Sequence, residues 1–131
     1  MEDILEKSII STKNAPAAIG PYSQAVAWNN LLFISGQIPL NPTTGEMVTG
    51  DFESQIRQVL DNLKSILEAA GLTTSSVLKT TIFLTDLADF AKANEIYSQY
   101  FAENPPARST IQISALPKGA KVEIEAIAGK S

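Results

Sequence analysis

Cysteine and histidine are both missing from this 131-residue chain. Without histidine there is no imidazole general base and no Ser-His or Cys-His nucleophilic pair. Without either residue, the soft ligands of a zinc, copper or iron–sulfur site are gone as well. Disulfides are ruled out, and with no thiols the composition carries no mark of its redox compartment. Catalysis from this alphabet rests on carboxylates, tyrosine, lysine, arginine, hydroxyls, backbone groups and water. No metal and no cofactor is called for.

Basic residues are also few. Ten Lys and Arg stand against 14 Asp and Glu, for a net charge of −4. They are scattered instead of gathered into a stripe, which argues against nucleic-acid binding through phosphate neutralisation. The N-terminus, Met1-Glu2-Asp3-Ile4-Leu5-Glu6-Lys7, is acidic and has neither a long apolar core nor an arginine-rich amphipathic face. No secretory signal, transit peptide or membrane span is legible, and a cytoplasmic protein is the expectation.

What is present suits one domain, residues 1–131, with 44% hydrophobic residues and enough length to bury a core without staples. Two β-prone runs, Ser23 to Trp28 and Leu31 to Ser35, flank Asn29-Asn30, a dipeptide that tolerates a tight hairpin. Gly36, Pro39, Asn41-Pro42 and Gly45 follow, too rich in turn residues for an element interior. That segment reads as a loop over a site or an interface, with no evident internal partner. Asp51 is placed to cap a helix in which Phe52, Ile56, Leu60, Leu63, Ile66, Leu67 and Ala70 recur at helical spacing, until Gly71 stops it.

Ser76 to Thr85 reads as a largely buried strand, and a second helix runs from about Asp89 to Glu103. Two C-terminal strands complete a ββαβαββ pattern, an α+β domain with both helices packed on one face of a mixed sheet. In the first of those strands Ser109, Ile111 and Ile113 alternate with Arg108, Thr110 and Gln112. In the second, Val122, Ile124 and Ala126 alternate with Glu123 and Glu125. The apolar sides are expected to meet the helices, and the polar sides to face solvent or another copy of the chain.

The last quarter carries the chemistry. Arg108, one of only two arginines, stands where Pro105-Pro106 hands over to a strand. Its guanidinium can grip a carboxylate with two parallel hydrogen bonds, as lysine cannot. Glu123, between Val122 and Ile124, points away from the face those two bury. One group to hold an anion and one to move a proton make a small active site. Taken alone, the same two residues also fit a structural ion pair or an interface contact.

Four separated motifs resemble the RidA family, also called YjgF, over Thr12 to Ala128. They are Gly20-Pro21-Tyr22-Ser23-Gln24-Ala25, Phe33-Ile34-Ser35-Gly36-Gln37-Ile38-Pro39, Phe90-Ala91-Lys92-Ala93-Asn94, and Pro106-Ala107-Arg108-Ser109 with Val122-Glu123-Ile124. The resemblance implies a chorismate-mutase-like α+β fold and a barrel-like homotrimer with pockets between subunits. It also implies hydrolysis of enamine and imine intermediates released by pyridoxal-phosphate enzymes, such as 2-iminobutanoate and 2-iminopropanoate, to 2-oxo acids and ammonia. Under it Arg108 binds the substrate carboxylate, Glu123 positions or activates water, and Tyr22 is the pocket tyrosine. Ser35, Gly36, Phe90 and Asn94 line the cleft, and Thr110 contributes chiefly backbone groups. The alternative is a non-catalytic regulatory trimer that binds small carboxylates through the same Arg108 pocket. A nuclease or translation inhibitor is disfavoured by the acidic balance and the lack of clustered basic and aromatic residues.

Overall fold

The computed structural model describes residues 7–130. The first six residues, read above as an acidic terminus without a signal, lie outside them, as does Ser131.

Six strands and two helices follow in the order β1 (Ser8–Ile10), β2 (Ala25–Trp28), β3 (Leu31–Gln37), α1 (Phe52–Ala69), β4 (Val77–Leu84), α2 (Phe90–Tyr100), β5 (Ala107–Gln112) and β6 (Val122–Gly129). They form one sheet in the order β1-β2-β3-β6-β4-β5. Among the described residues only β4 and β5 run parallel, with α2 as the crossover that a parallel pair needs. The short edge strand β1 escapes the sequence reading because three residues are too few to show a period. α2 ends at Tyr100, three residues short of the expected Glu103.

Local chemistry accounts for the elements. The β2–β3 turn places Asn29 at φ 53°, a left-handed conformation that asparagine tolerates. Asp51 caps α1, its Oδ1 accepting from the Ser54 N–H at 3.0 Å and the Ser54 hydroxyl at 2.8 Å. Past the other end of α1, Gly71 takes φ +77°. Between them Ile56, Val59, Leu60, Leu63, Ile66 and Leu67 form a stripe at most 2% exposed. Each such side chain contributes about 1.5–3 kcal/mol by burial. The stripe packs with Ala93, Ile96, Tyr97 and Phe101 of the α2 region on one face of the sheet, against Leu32, Ile34, Ile82, Leu84, Val122, Ile124, Ala126 and Ala128.

Register decides where everything else points. Ile82 on β4 is level with Ile124 on β6 and Thr110 on β5, whereas Phe83 is level with Glu123 and Ile111. Buried Thr80, Ile82 and Leu84 therefore share the helix face with Arg108, Thr110 and Gln112. The expectation that β5 turns Ser109 and Ile111 toward the helices is overturned: Ile111 is 45% exposed on the open face. Parallel pairing with β4 fixes this, because β5 must keep step with a neighbour whose Thr80, Ile82 and Leu84 are buried. β6 follows the expectation, with Val122, Ile124, Ala126 and Ala128 buried and Glu123 and Glu125 on the other side.

The turn-rich segment after β3 also departs from expectation, since it has internal partners. Two buried amides on α1 hold it. Asn62 Nδ2 donates to the carbonyls of Ile38 at 3.3 Å and Leu40 at 3.0 Å, and Gln55 Nε2 donates to that of Val48 at 3.4 Å. Gln55 Oε1 meanwhile accepts from the Lys121 N–H at 2.9 Å, so one side chain ties this segment to the turn before β6.

Candidate active site

The proposed residues fall into two groups on opposite faces of the sheet. The first surrounds Glu123, at the start of β6 on the open face, in a cavity of about 500 Å³. Tyr22, Gly36, Ile38, Leu40, Lys118 and the 16–19 segment line it. The second surrounds Arg108, on the helix side of the edge strand β5, in a cleft of about 520 Å³ that includes Asn94, Tyr97, Phe101 and Pro105-Pro106. Within one chain Arg108 and Glu123 therefore line separate pockets. A β-strand alternates its faces residue by residue, and the register puts the two on opposite parities.

Around Glu123 the framework is dense. Buried Gln24 accepts from the Thr12 N–H at 2.7 Å and donates through Nε2 to the carbonyls of Thr12 at 3.1 Å, Ala15 at 3.3 Å and Pro16 at 2.7 Å. It thereby ties down the segment that walls the cavity. The Ser35 hydroxyl donates to the Ser23 carbonyl at 2.6 Å, and the Ser35 N–H to the Gln24 carbonyl at 3.0 Å. Ser35 thus holds the chain next to Tyr22 and lines neither cavity; its role is to fix that wall. Tyr22 itself is 54% exposed.

Gly36 is not the bend at a strand end that its sequence suggests. It lies inside β3, where the pairing with β6 slips between Ile34 and Gln37. A Cβ there would overlap the Glu123 carboxylate, with the carboxyl carbon only 2.8 Å away. The missing side chain is what lets the Glu123 carboxyl group lie against the β3 backbone. Burial pushes the Glu123 carboxyl pKa above its ordinary 4.5, and the charge of Glu125 two residues on adds to the rise.

Around Arg108 the environment is aromatic. Its guanidinium carbon lies 5.1 Å from the centre of the Tyr97 ring and 5.7 Å from that of Phe90, within cation–π range. Among the described residues it forms no ion pair. Asn94 lines the same cleft. Two positions along β5, Thr110 Oγ1 is buried and has no hydrogen-bond partner among the described residues. Sequence reasoning passed over Tyr97 and Gln24. Tyr97 could have been found, since it stands three residues after Asn94 and seven after Phe90, on the same helical face. Among the described residues no group of three or more Asp or Glu side chains could hold a metal ion.

Known proteins share this arrangement along nearly the whole chain. A family model described as Endoribonuclease L-PSP matches residues 12–130. An Escherichia coli 2-iminobutanoate/2-iminopropanoate deaminase is 54% identical, covering 91% of this chain and 94% of its own. The human protein of that name is 50% identical, covering 95% and 90%. A Rid-family protein of Yersinia pestis, known as a crystal structure, superposes with a TM-score of 0.92 at 55% identity, covering 95% of this chain and all of its own (100%).

Two measurements follow from the geometry around Glu123. Its raised native pKa means that the folded chain holds the proton more tightly than the unfolded one. Its contribution to stability is therefore full below the unfolded value and is lost as pH rises through the folded one. Carboxyl NMR titration should place Glu123 above 4.5, and Glu125→Gln should lower it. Gly36→Ala should cost about 1–3 kcal/mol in urea unfolding. Much of that loss should vanish in a Glu123→Ala background, a coupling that two independent sites would not show.

Proposed function

The chain belongs to the RidA family, and on that premise we propose that it hydrolyses 2-iminobutanoate, 2-iminopropanoate and their enamine tautomers to 2-oxo acids and ammonia. The carrying observation is the contrast between its two half-sites: an arginine beside a cleft that pairs with no carboxylate among the described residues, and a carboxyl group with a raised pKa beside a cavity. The first fits the substrate carboxylate and the second fits proton transfer.

The iminium carbon, C2, is already electrophilic, so the protein supplies position and proton traffic. Arg108 grips the carboxylate in a bidentate fork and fixes C2 relative to the opposing half-site. Glu123 takes a proton from a water as the water oxygen bonds to C2, and the C=N π pair moves to nitrogen. The resulting carbinolamine receives that proton on nitrogen. The C–N bond then breaks with its electrons as ammonia leaves, and loss of the hydroxyl proton gives the 2-oxo acid. Glu123 ends as it began. A positioned acid–base group of this kind contributes about 100- to 10,000-fold. Tyr22 and Gly36 frame the water side, and Phe90, Asn94 and Thr110 the carboxylate side.

Because each chain carries its two half-sites on opposite faces, a complete site is assigned to two copies of the chain. The open face supports association: Trp28, Phe33 and Ile111 are exposed there, an apolar surface that a solitary domain would leave in water. A homotrimer closed through these faces, with intersubunit sites and a cytoplasmic setting, is the assembly we infer. Among the described residues no helix is long and apolar enough to cross a membrane. RNA cleavage is not proposed, since each cavity gathers a single basic side chain, Lys118 or Arg108.

A second reading rests on the Arg108 cleft alone: with no ion pair to Arg108 among the described residues, it would hold small carboxylates without turnover. Trapping separates the two. Threonine dehydratase generates 2-iminobutanoate in the presence of semicarbazide, and this protein should suppress semicarbazone formation. Arg108→Ala should lose about 2–5 kcal/mol of transition-state binding. Absence of suppression by a well-folded assembly would leave the binding reading in its place. Mixing Arg108→Ala with Glu123→Gln chains under exchange conditions should restore part of the activity that each lacks alone. No recovery in verified mixed assemblies would refute a site shared between chains.

A further inference from the structure

Arg108 presents a mechanical problem that its chemistry does not solve. It projects from β5, the edge strand of the sheet, on a long side chain with many rotamers, and among the described residues no carboxylate pairs with it. A free arginine would surrender that rotamer freedom each time it gripped a ligand. An acidic partner would fix it but would also compete with the ligand for its charge. The structure instead sets it against two rings, which attract the guanidinium without occupying its forked N–H donors.

The rings are unequal. Phe90 is 40% exposed and has no polar atom to anchor it. Tyr97 is 5% exposed, and its ring packs on that of Phe101 at 4.6 Å between centroids. Its hydroxyl shares a buried 2.6 Å hydrogen bond with the hydroxyl of Thr80, itself fully buried on β4. Thr80 is the residue level with Arg108 in the parallel β4–β5 pair, so the tether that holds the ring and the strand that carries the guanidinium share one register. A Phe and Val pair would fill the same space without burying two hydroxyls, which must bond to each other to be tolerated there.

We propose that Tyr97, locked by Thr80, is the positioning residue that presets the Arg108 guanidinium for a carboxylate. The inference rests on the carboxylate-binding reading of Arg108 and goes beyond it by assigning the affinity of that grip to a ring on α2. Tyr97 touches neither the reacting carbon nor the water. It acts through Arg108, on ligand affinity and not on the chemical step.

The test is calorimetric binding of 2-oxobutanoate, with KM and kcat for imine hydrolysis and thermal melting measured alongside. Tyr97→Leu removes the ring face and should weaken binding and raise KM by about 3- to 30-fold, with kcat little changed. Tyr97→Phe keeps the face but gives up the hydroxyl that ties it to Thr80, so it should weaken binding by less than Tyr97→Leu and by about as much as Thr80→Val. A ring-fluorinated phenylalanine at position 97 keeps the shape of Tyr97→Phe but depletes the face, so it should bind more weakly than Tyr97→Phe even where Tyr97→Leu fails to assemble. Thr80→Val keeps the ring and releases its tether, for a smaller loss in the same direction. A purely structural tyrosine would lower the melting temperature in these variants and leave the dissociation constant alone. Binding in the fluorinated variant equal to that of Tyr97→Phe, with binding abolished in Arg108→Ala, would overturn the inference and leave the carboxylate reading standing. Unchanged binding in Arg108→Ala would overturn both.

Discussion

The parallel pairing of β4 with β5 is the constraint on which the rest depends. β4 runs through the middle of the core and buries Thr80, Ile82 and Leu84, and β5 has to keep step with it. That places Arg108 and Thr110 on the helix side, where α2 supplies aromatic walls. Antiparallel pairing of the same β4 with β6 sends Glu123 to the opposite side, beside β3 and the segment that Gln24 holds. A slip of one residue in either ladder would exchange these faces and bury the wrong set of side chains. The core therefore protects the geometry of the site: disturbing it means exposing isoleucines and a valine.

The two half-sites solve opposite electrostatic problems. Arg108 pairs with no carboxylate among the described residues, and the rings beside it attract its guanidinium without occupying the N–H donors a ligand would use. The Glu123 pKa is raised above its ordinary value by desolvation and by its neighbour Glu125. Placed together in one chain, each would weaken the other's property, because a nearby cation lowers a carboxyl pKa and a nearby carboxylate occupies a guanidinium. Their separation on one chain leaves the ligand to stand between them in the proposed assembly.

Much of this was legible in the sequence because the signals were local. Asp51 and Gly71 bracket α1, Asn29 makes the first hairpin, and the alternation from Val122 to Ala128 gives β6 its two faces. What failed depended on partners distant in sequence. The sidedness of β5 is set by its parallel neighbour, and Ser109 and Ile111 alone cannot reveal it. Gly36 reads as a turn residue until Glu123 is seen to fill the space of its missing Cβ. The loop after β3 gives no hint that Asn62 and Gln55, polar residues on an otherwise apolar stripe, reach across to hold it. Those two amides were the available clue, since a buried polar group on a helix needs a partner somewhere.

The edge position of β5 has a consequence for how such a protein would be regulated by its own abundance. In the proposed assembly, unlike half-sites on each chain would make the contact head to tail, and a closed ring would hold as many sites as members. Every subunit would then serve two neighbouring sites at once. A single defective chain incorporated into a ring would damage catalysis in its companions as well as in itself, and dilution would silence the population before any molecule unfolded.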